Sequence, residues 1–163
     1  MRTAALICVG IITCFLQSEL LPLLFKQAWM PNLILTWIIV VALLKGRRAG
    51  ITVAVIGGLF HDILISNLFG LHLFPYLVVA YVLSMWSHSV YEEQWYVTFF
   101  WVLGGTLLDA AVRIGMLLMA RESVDVLIYA WHFVWPVVWL NGLIGIGLHE
   151  LIWNFEKDDE YIW

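Results

Sequence analysis

The sequence predicts a polytopic all-α membrane protein, and three observations carry that reading. Hydrophobic residues make up 63% of the 163 and charged residues only 12%, a balance foreign to soluble domains. Mean hydropathy is +0.93. Apolar stretches of roughly 20 residues, the length that crosses the hydrocarbon core, recur about six times and use most of the chain. A single dense basic cluster, Lys45-Gly-Arg47-Arg48, interrupts them and orients the rest. One membrane domain over 1–163 follows, with no room for a soluble domain.

The first span covers about 3–24. It lacks a small-residue cleavage site and reads as a retained helix rather than a signal peptide. Gln17, Ser18 and Glu19 make its end polar, and Pro22 with Lys26 marks its exit. The second span, 31–44, opens on Pro31-Asn32, with proline suited to a first helical turn. It stops at the basic cluster, and the third span follows over 49–66. Short cytoplasmic loops are rich in lysine and arginine, so that cluster faces the cytoplasm. Both termini then lie inside, with Arg2, Lys45, Arg47, Arg48 and Lys157, against Lys26 and Arg121 outside.

The fourth span covers 71–86, with Pro75 near its start, and the fifth 95–119. The apolar run after Val124 is too long for one untilted helix and is divided at Pro136. This gives an interfacial segment over 124–135 and a sixth span over 136–155. Most of the ten tryptophans fall near span ends, where indoles favour the headgroup region. Trp131, Trp135 and Trp139 form a stripe that reads as an interfacial anchor or a protein-binding face.

The third span carries the unusual chemistry. Gly50, Gly57 and Gly58 lie on or near one face, where small residues let another helix approach closely. The same helix buries Asp62, and a mid-membrane aspartate costs about 2.5–3.5 kcal/mol unless partnered. The fifth span echoes it: Gly57-Gly58-x-x-x-Asp62 matches Gly104-Gly105-x-x-x-Asp109. Each aspartate lies about 21 Å along its helix from the cytoplasmic start, in the outer half of the bilayer. Arg113 follows Asp109 by one helical turn and can pair with it. Asp62 has His61, Asn67, His72 or Arg113 as candidate partners. An Asp62, Asp109 and Arg113 charge cluster between spans three and five is the expectation.

Several function classes fall away. Basic residues are too few and scattered for a nucleic-acid surface. Cys8 and Cys14 have neither redox nor zinc spacing. No catalytic residue, metal-ligand set, phosphate loop or cofactor is indicated.

The order and spacing of several short motifs then become specific. Pro31-Asn32-Leu33, the basic turn, Gly50, Gly57-Gly58-Leu59, Asp62 and Leu68-Phe69-Gly70-Leu71-His72 resemble the pattern of the MreD family of bacterial rod-shape-determining membrane proteins. That family shows Pro-Asp-Leu or Pro-Asn-Leu, a glycine-spaced helix ending Gly-Leu-x-x-Asp, and a following Leu-Gly-Leu-His. Here Phe69 stands where the family has leucine before Gly70. The motif residues are Pro31, Asn32, Gly50, Gly57, Gly58, Asp62, Gly70 and His72, while length and layout fit over the whole chain.

The resemblance implies a non-enzymatic subunit of the elongation machinery that scaffolds peptidoglycan side-wall synthesis in the bacterial cytoplasmic (inner) membrane. It implies an MreC-like single-span protein as partner. The transpeptidase and glycosyltransferase pair and the actin-like filament protein follow indirectly. It also implies a fold like that of the substrate-binding subunits of energy-coupling-factor vitamin transporters. Gly57, Gly58, Asn67 and His72 are the partner-binding candidates. A small-solute transporter subunit is the alternative, resting on the polar cluster and glycines at similar depth. An intramembrane aspartyl protease is the remote one, since two acids on separate helices can share a proton. It lacks asparagines beside the aspartates, and Arg113 would hold Asp109 ionised.

Overall fold

The computed structural model describes residues 3–25, 29–64, 69–86, 94–120 and 125–160, with side chains described outside 3–7 and 154–160. Among them there is no strand, and six helical runs form one bundle. Run α1 covers 3–24, passing from Thr3–Phe15 through a π-helical turn at Leu16–Leu20 into Leu21–Leu24. Helices α2 (33–45) and α3 (47–64) together cover Leu33–Leu64 and are separated by a sharp break at Gly46. Then come α4 (Leu73–Ser84), α5 (Trp95–Met119) and α6 (126–160).

Gly46 makes the α2–α3 hairpin possible. Its φ of 79° lies in the left-handed region that side chains with a Cβ avoid. The two helices then run antiparallel in very close contact. A Cβ on Gly50 would lie 2.6 Å from Ala42 Cβ, and one on Gly57 would lie 2.8 Å from Ile34 Cγ2. Asn32, not Pro31, starts α2: its side chain accepts the Leu35 N–H at 3.0 Å, a standard N-cap bond. Pro31 stands one residue before the cap.

Helix α2 is the centre of the molecule. Leu35 and Ile38 through Leu43 are fully buried, and Trp37 nearly so. A helix apolar on every side lies in a protein core or against lipid, and this one lies in the core. Trp37 meets Gly10 of α1, Ala42 meets Gly50 of α3, and Ile39 meets Gly105 of α5. Tyr76, Val79, Ala80 and Leu83 turn one face of α4 inward. Gly105 of α5 seats against Ile39 and Leu83, and Gly142 and Gly145 of α6 seat against Phe99, Leu103 and Val102.

The break expected at Pro136 is absent. The chain is helical from Val126 through Glu160, with a π-helical turn at Ala130–Val134 just before the proline. The same arrangement precedes Pro22, after the π turn at Leu16–Leu20. A proline ring lacks an N–H and presses on the carbonyl four residues back, here Ser18 or His132. A widened turn absorbs that conflict without breaking the helix. The interfacial segment and the sixth span are thus one helix.

By length and composition, Trp95–Met119 and Val126–Trp153 can each cross a membrane. Only 22% and 17% of their most apolar windows are buried, so these are not the core helices of a soluble protein. Cys8–Leu24 and Leu73–Ser84 are shorter apolar helices. Trp131, Trp135 and Trp139 face outward from α6.

Candidate functional site

The polar groups converge at the end of the bundle opposite Gly46. Asp62, in the last turn of α3, is buried, and the turn before α4 folds around it. Its Oδ2 accepts N–H bonds from Gly70 at 2.8 Å and Leu73 at 3.1 Å. Its Oδ1 accepts the His72 N–H at 2.9 Å and the His72 Nδ1–H at 3.1 Å. Successive N–H groups aimed at one carboxylate make an anion nest. Gly70 permits it, with a φ of 94°. Leu73 is the first residue of α4, whose N-cap, His72, makes no side-chain cap of its own. Asp62 supplies that cap from another helix, at the positive end of the α4 dipole. The Asp62 to His72 motif is one physical unit.

Beside it runs a second network. The His61 ring stacks on His72 with centroids 3.8 Å apart. His61 Nδ1 lies 2.7 Å from the Tyr76 hydroxyl, which lies 2.7 Å from Asn32 Nδ2. With Asn32 Oδ1 accepting from Leu35, the consistent assignment has Nδ2 donating to Tyr76 and the hydroxyl donating to His61. The Asn32 N–H donates to Asn141 Oδ1 at 2.7 Å, and Asn141 Nδ2 donates to Thr106 at 3.2 Å. Gln17 of α1 accepts the Leu33 N–H at 2.7 Å. Asn32 therefore joins α2 to α3, α4, α5 and α6 through one chain of bonds.

Asp109 and Arg113 form a 2.6 Å ion pair within α5. The expected cluster thus resolves into two units. Arg113 pairs with Asp109, whereas backbone N–H groups and His72 take up the Asp62 carboxylate. The two units meet across a cavity of about 200 Å³ whose lining includes Gln17, Asn32, His72, Thr106, Asp109 and Arg113.

Gly50, Gly57 and Gly58 are all buried. Gly57 faces Ile34 and Ile38, and a Cβ on Gly58 would lie 2.7 Å from Leu73 Cα. Both are consumed inside the bundle, so of the two roles open to this glycine face, packing within the bundle or docking an outside helix, the structure shows the first. Gly104, by contrast, faces open space while Gly105 packs against Ile39 and Leu83, so the span-five echo repeats the packing only at its second glycine. Asn67 lies outside the described residues. Sequence reasoning passed over Tyr76 and Asn141 and read Gln17 only as a polar span end; their one signal was amide and hydroxyl groups within apolar helices. Among the described residues, no three His, Cys, Asp or Glu are grouped to hold a metal ion.

A second opening lies between α1 and α3, over Trp37. This groove of about 640 Å³ is apolar, with Ile11, Phe15, Ile56 and Phe60 at its walls, Gly10 at its floor and Arg48 at one end. From Arg48 to Leu64 it extends about 24 Å at the helical rise of about 1.5 Å per residue.

The family model described as rod shape-determining protein MreD matches residues 1–156. No curated protein and no solved structure matches the chain.

Proposed function

The chain belongs to the MreD family of rod shape-determining proteins, and we propose that it is a non-enzymatic membrane scaffold of the bacterial elongation machinery. In this reading the six helical runs are six spans of the cytoplasmic membrane. The Gly46 hairpin and both termini face the cytoplasm. An MreC-like single-span subunit is the direct partner. The side-wall transpeptidase, the glycosyltransferase and the actin-like filament are reached through the assembled complex.

One observation carries the scaffold reading: where the chain uses its polar groups and where it leaves surface. Asp62, Asn32, Tyr76 and Asn141 are occupied in fastening helices to one another, and Arg113 in pairing Asp109 within α5. The α1–α3 groove is left apolar over about 24 Å, most of a hydrocarbon core about 30 Å thick. That length suits a single membrane helix. Membrane helices associate by close packing, and Gly10 on the groove floor permits close approach. The exposed Phe69 offers a further contact at the outer face.

Complementation tests this directly. A rod-shaped host lacking its own family member should regain rod shape when given this chain. The MreC-like subunit should co-purify with it in mild detergent. Round cells despite normal insertion, or protein isolated without any elongation subunit, would overturn the reading.

A further inference from the structure

Asp109 uses only one of its two carboxylate oxygens. Oδ2 takes Arg113 Nη2 at 2.6 Å, while Oδ1 is buried with no hydrogen-bond partner among the described residues. The residue as a whole is 5% exposed. A buried acceptor without a donor is costly, and more so when the group is a carboxylate. Neighbouring polar groups do not relieve it: the Thr106 hydroxyl donates to Val102 O, and the Asn141 amide is turned to Thr106.

Asp109 and Arg113 both line the 200 Å³ cavity. The terminal carboxylate torsion is soft, so a small rotation brings Oδ1 to the cavity wall. Arg113 bonds Asp109 through Nη2 alone, and a guanidinium carries five N–H donors in all. The cavity is also where both π-helical turns arrive, Gln17 from one and Phe133 with Val134 from the other. Such turns are frequent at functional sites.

The charges select the guest. Asp109 and Arg113 balance each other, so a net-charged molecule would bring an uncompensated charge into a poorly solvated site. A net-neutral guest must still give a donor to Oδ1 and an acceptor to the guanidinium. We propose that the cavity binds a zwitterionic group bearing a primary ammonium beside a phosphate, the ammonium against Asp109 Oδ1 and the phosphate against Arg113. The shared chemistry is that of an ethanolamine phosphodiester, either as a phospholipid headgroup or as a free solute. This site is separate from the partner groove and stands or falls independently of it.

The test uses the purified full chain in mild detergent and reads the midpoint of thermal unfolding. Phosphatidylethanolamine should raise the midpoint by about 5 °C near saturation. Phosphatidylcholine, with the same net charge but no N–H on its head, should not. Free glycerophosphoethanolamine, the same net-neutral phosphodiester without acyl chains, separates the sources: an equal rise assigns the site to a solute, and none assigns it to lipid. Ala110→Phe, which fills the cavity and leaves both members of the ion pair in place, should remain folded and lose the response. An equal response to the choline lipid would overturn the proposal. So would a response that survives Ala110→Phe, or no response to either ethanolamine form.

Discussion

Asp62 Oδ1 accepts both the backbone N–H and the ring Nδ1–H of His72, ten residues further along the chain. With Gly70 and Leu73 bonded to Oδ2, the carboxylate closes the turn between α3 and α4 and caps α4. Asp62→Asn would present an amide N–H to at least one of those N–H donors. Leaving such groups unpaired in the interior costs about 2–3 kcal/mol. Thermal unfolding in detergent should show that loss. A variant as stable as the parent would mean that the turn is held by something else.

Two kinds of glycine should respond differently to alanine. Gly70 has no atom within 4 Å of a would-be Cβ, so Gly70→Ala meets only the strain of its φ of 94°. About 1–2 kcal/mol is expected there. Gly50 is the reverse case, with Ala42 Cβ 2.6 Å from the Cβ it would gain. Gly50→Ala should therefore destabilise more and be rescued by Ala42→Gly, with a clearly non-additive double-mutant cycle. Gly57→Leu and Gly58→Leu should fail at the level of folding. Normal stability in either would move that glycine back to the surface.

How much of this could be read from the chain varies with the interaction. Helix extents follow from apolar length and from prolines and glycines, and the buried acids announced themselves by their insertion cost. The central position of α2 was hidden, because in a membrane a helix facing lipid and one facing protein are equally apolar. Half of the Asp62 arrangement was visible in His72. The other half consists of main-chain N–H groups, whose only sequence trace is Gly70. The Asn32 network was out of reach, since its bonds join positions 44 and 109 residues apart. Pro136 misled, because a π turn lets a helix pass through a proline that would otherwise break it.

Arg113 and Asp109 should behave as a coupled pair. Removing the cation in Arg113→Leu leaves a buried carboxylate alone and should cost about 3–5 kcal/mol. Asp109→Leu together with Arg113→Leu should cost less than the sum of the single changes. Additive losses across the cycle would show that the 2.6 Å contact carries no interaction energy.

Orientation is testable through reporters. The basic turn at Lys45 to Arg48 predicts a cytoplasmic Gly46 hairpin. Fusions at Gln94 and Trp163 should then report cytoplasmic positions, and one at Glu122 an external one. An external C-terminus would require an odd number of crossings and would break the six-span reading.

The α1–α3 groove gives the sharpest separation of folding from partnership. A Cβ on Gly10 would meet only Trp37 Nε1, at 3.5 Å, an ordinary contact. Gly10→Leu therefore meets no obstacle at its Cβ and raises the groove floor. Ile56→Trp narrows the same groove from α3, at a residue already 54% exposed. Each variant should keep its unfolding midpoint within about 2–4 °C of the parent, the shift of a change near 1 kcal/mol. Each should lose most of the co-purifying MreC-like subunit, because a bulky side chain on the floor prevents close helix approach. Stability and partner binding are then read on the same preparation. If both variants fold and retain the subunit, the partner helix lies elsewhere on the bundle.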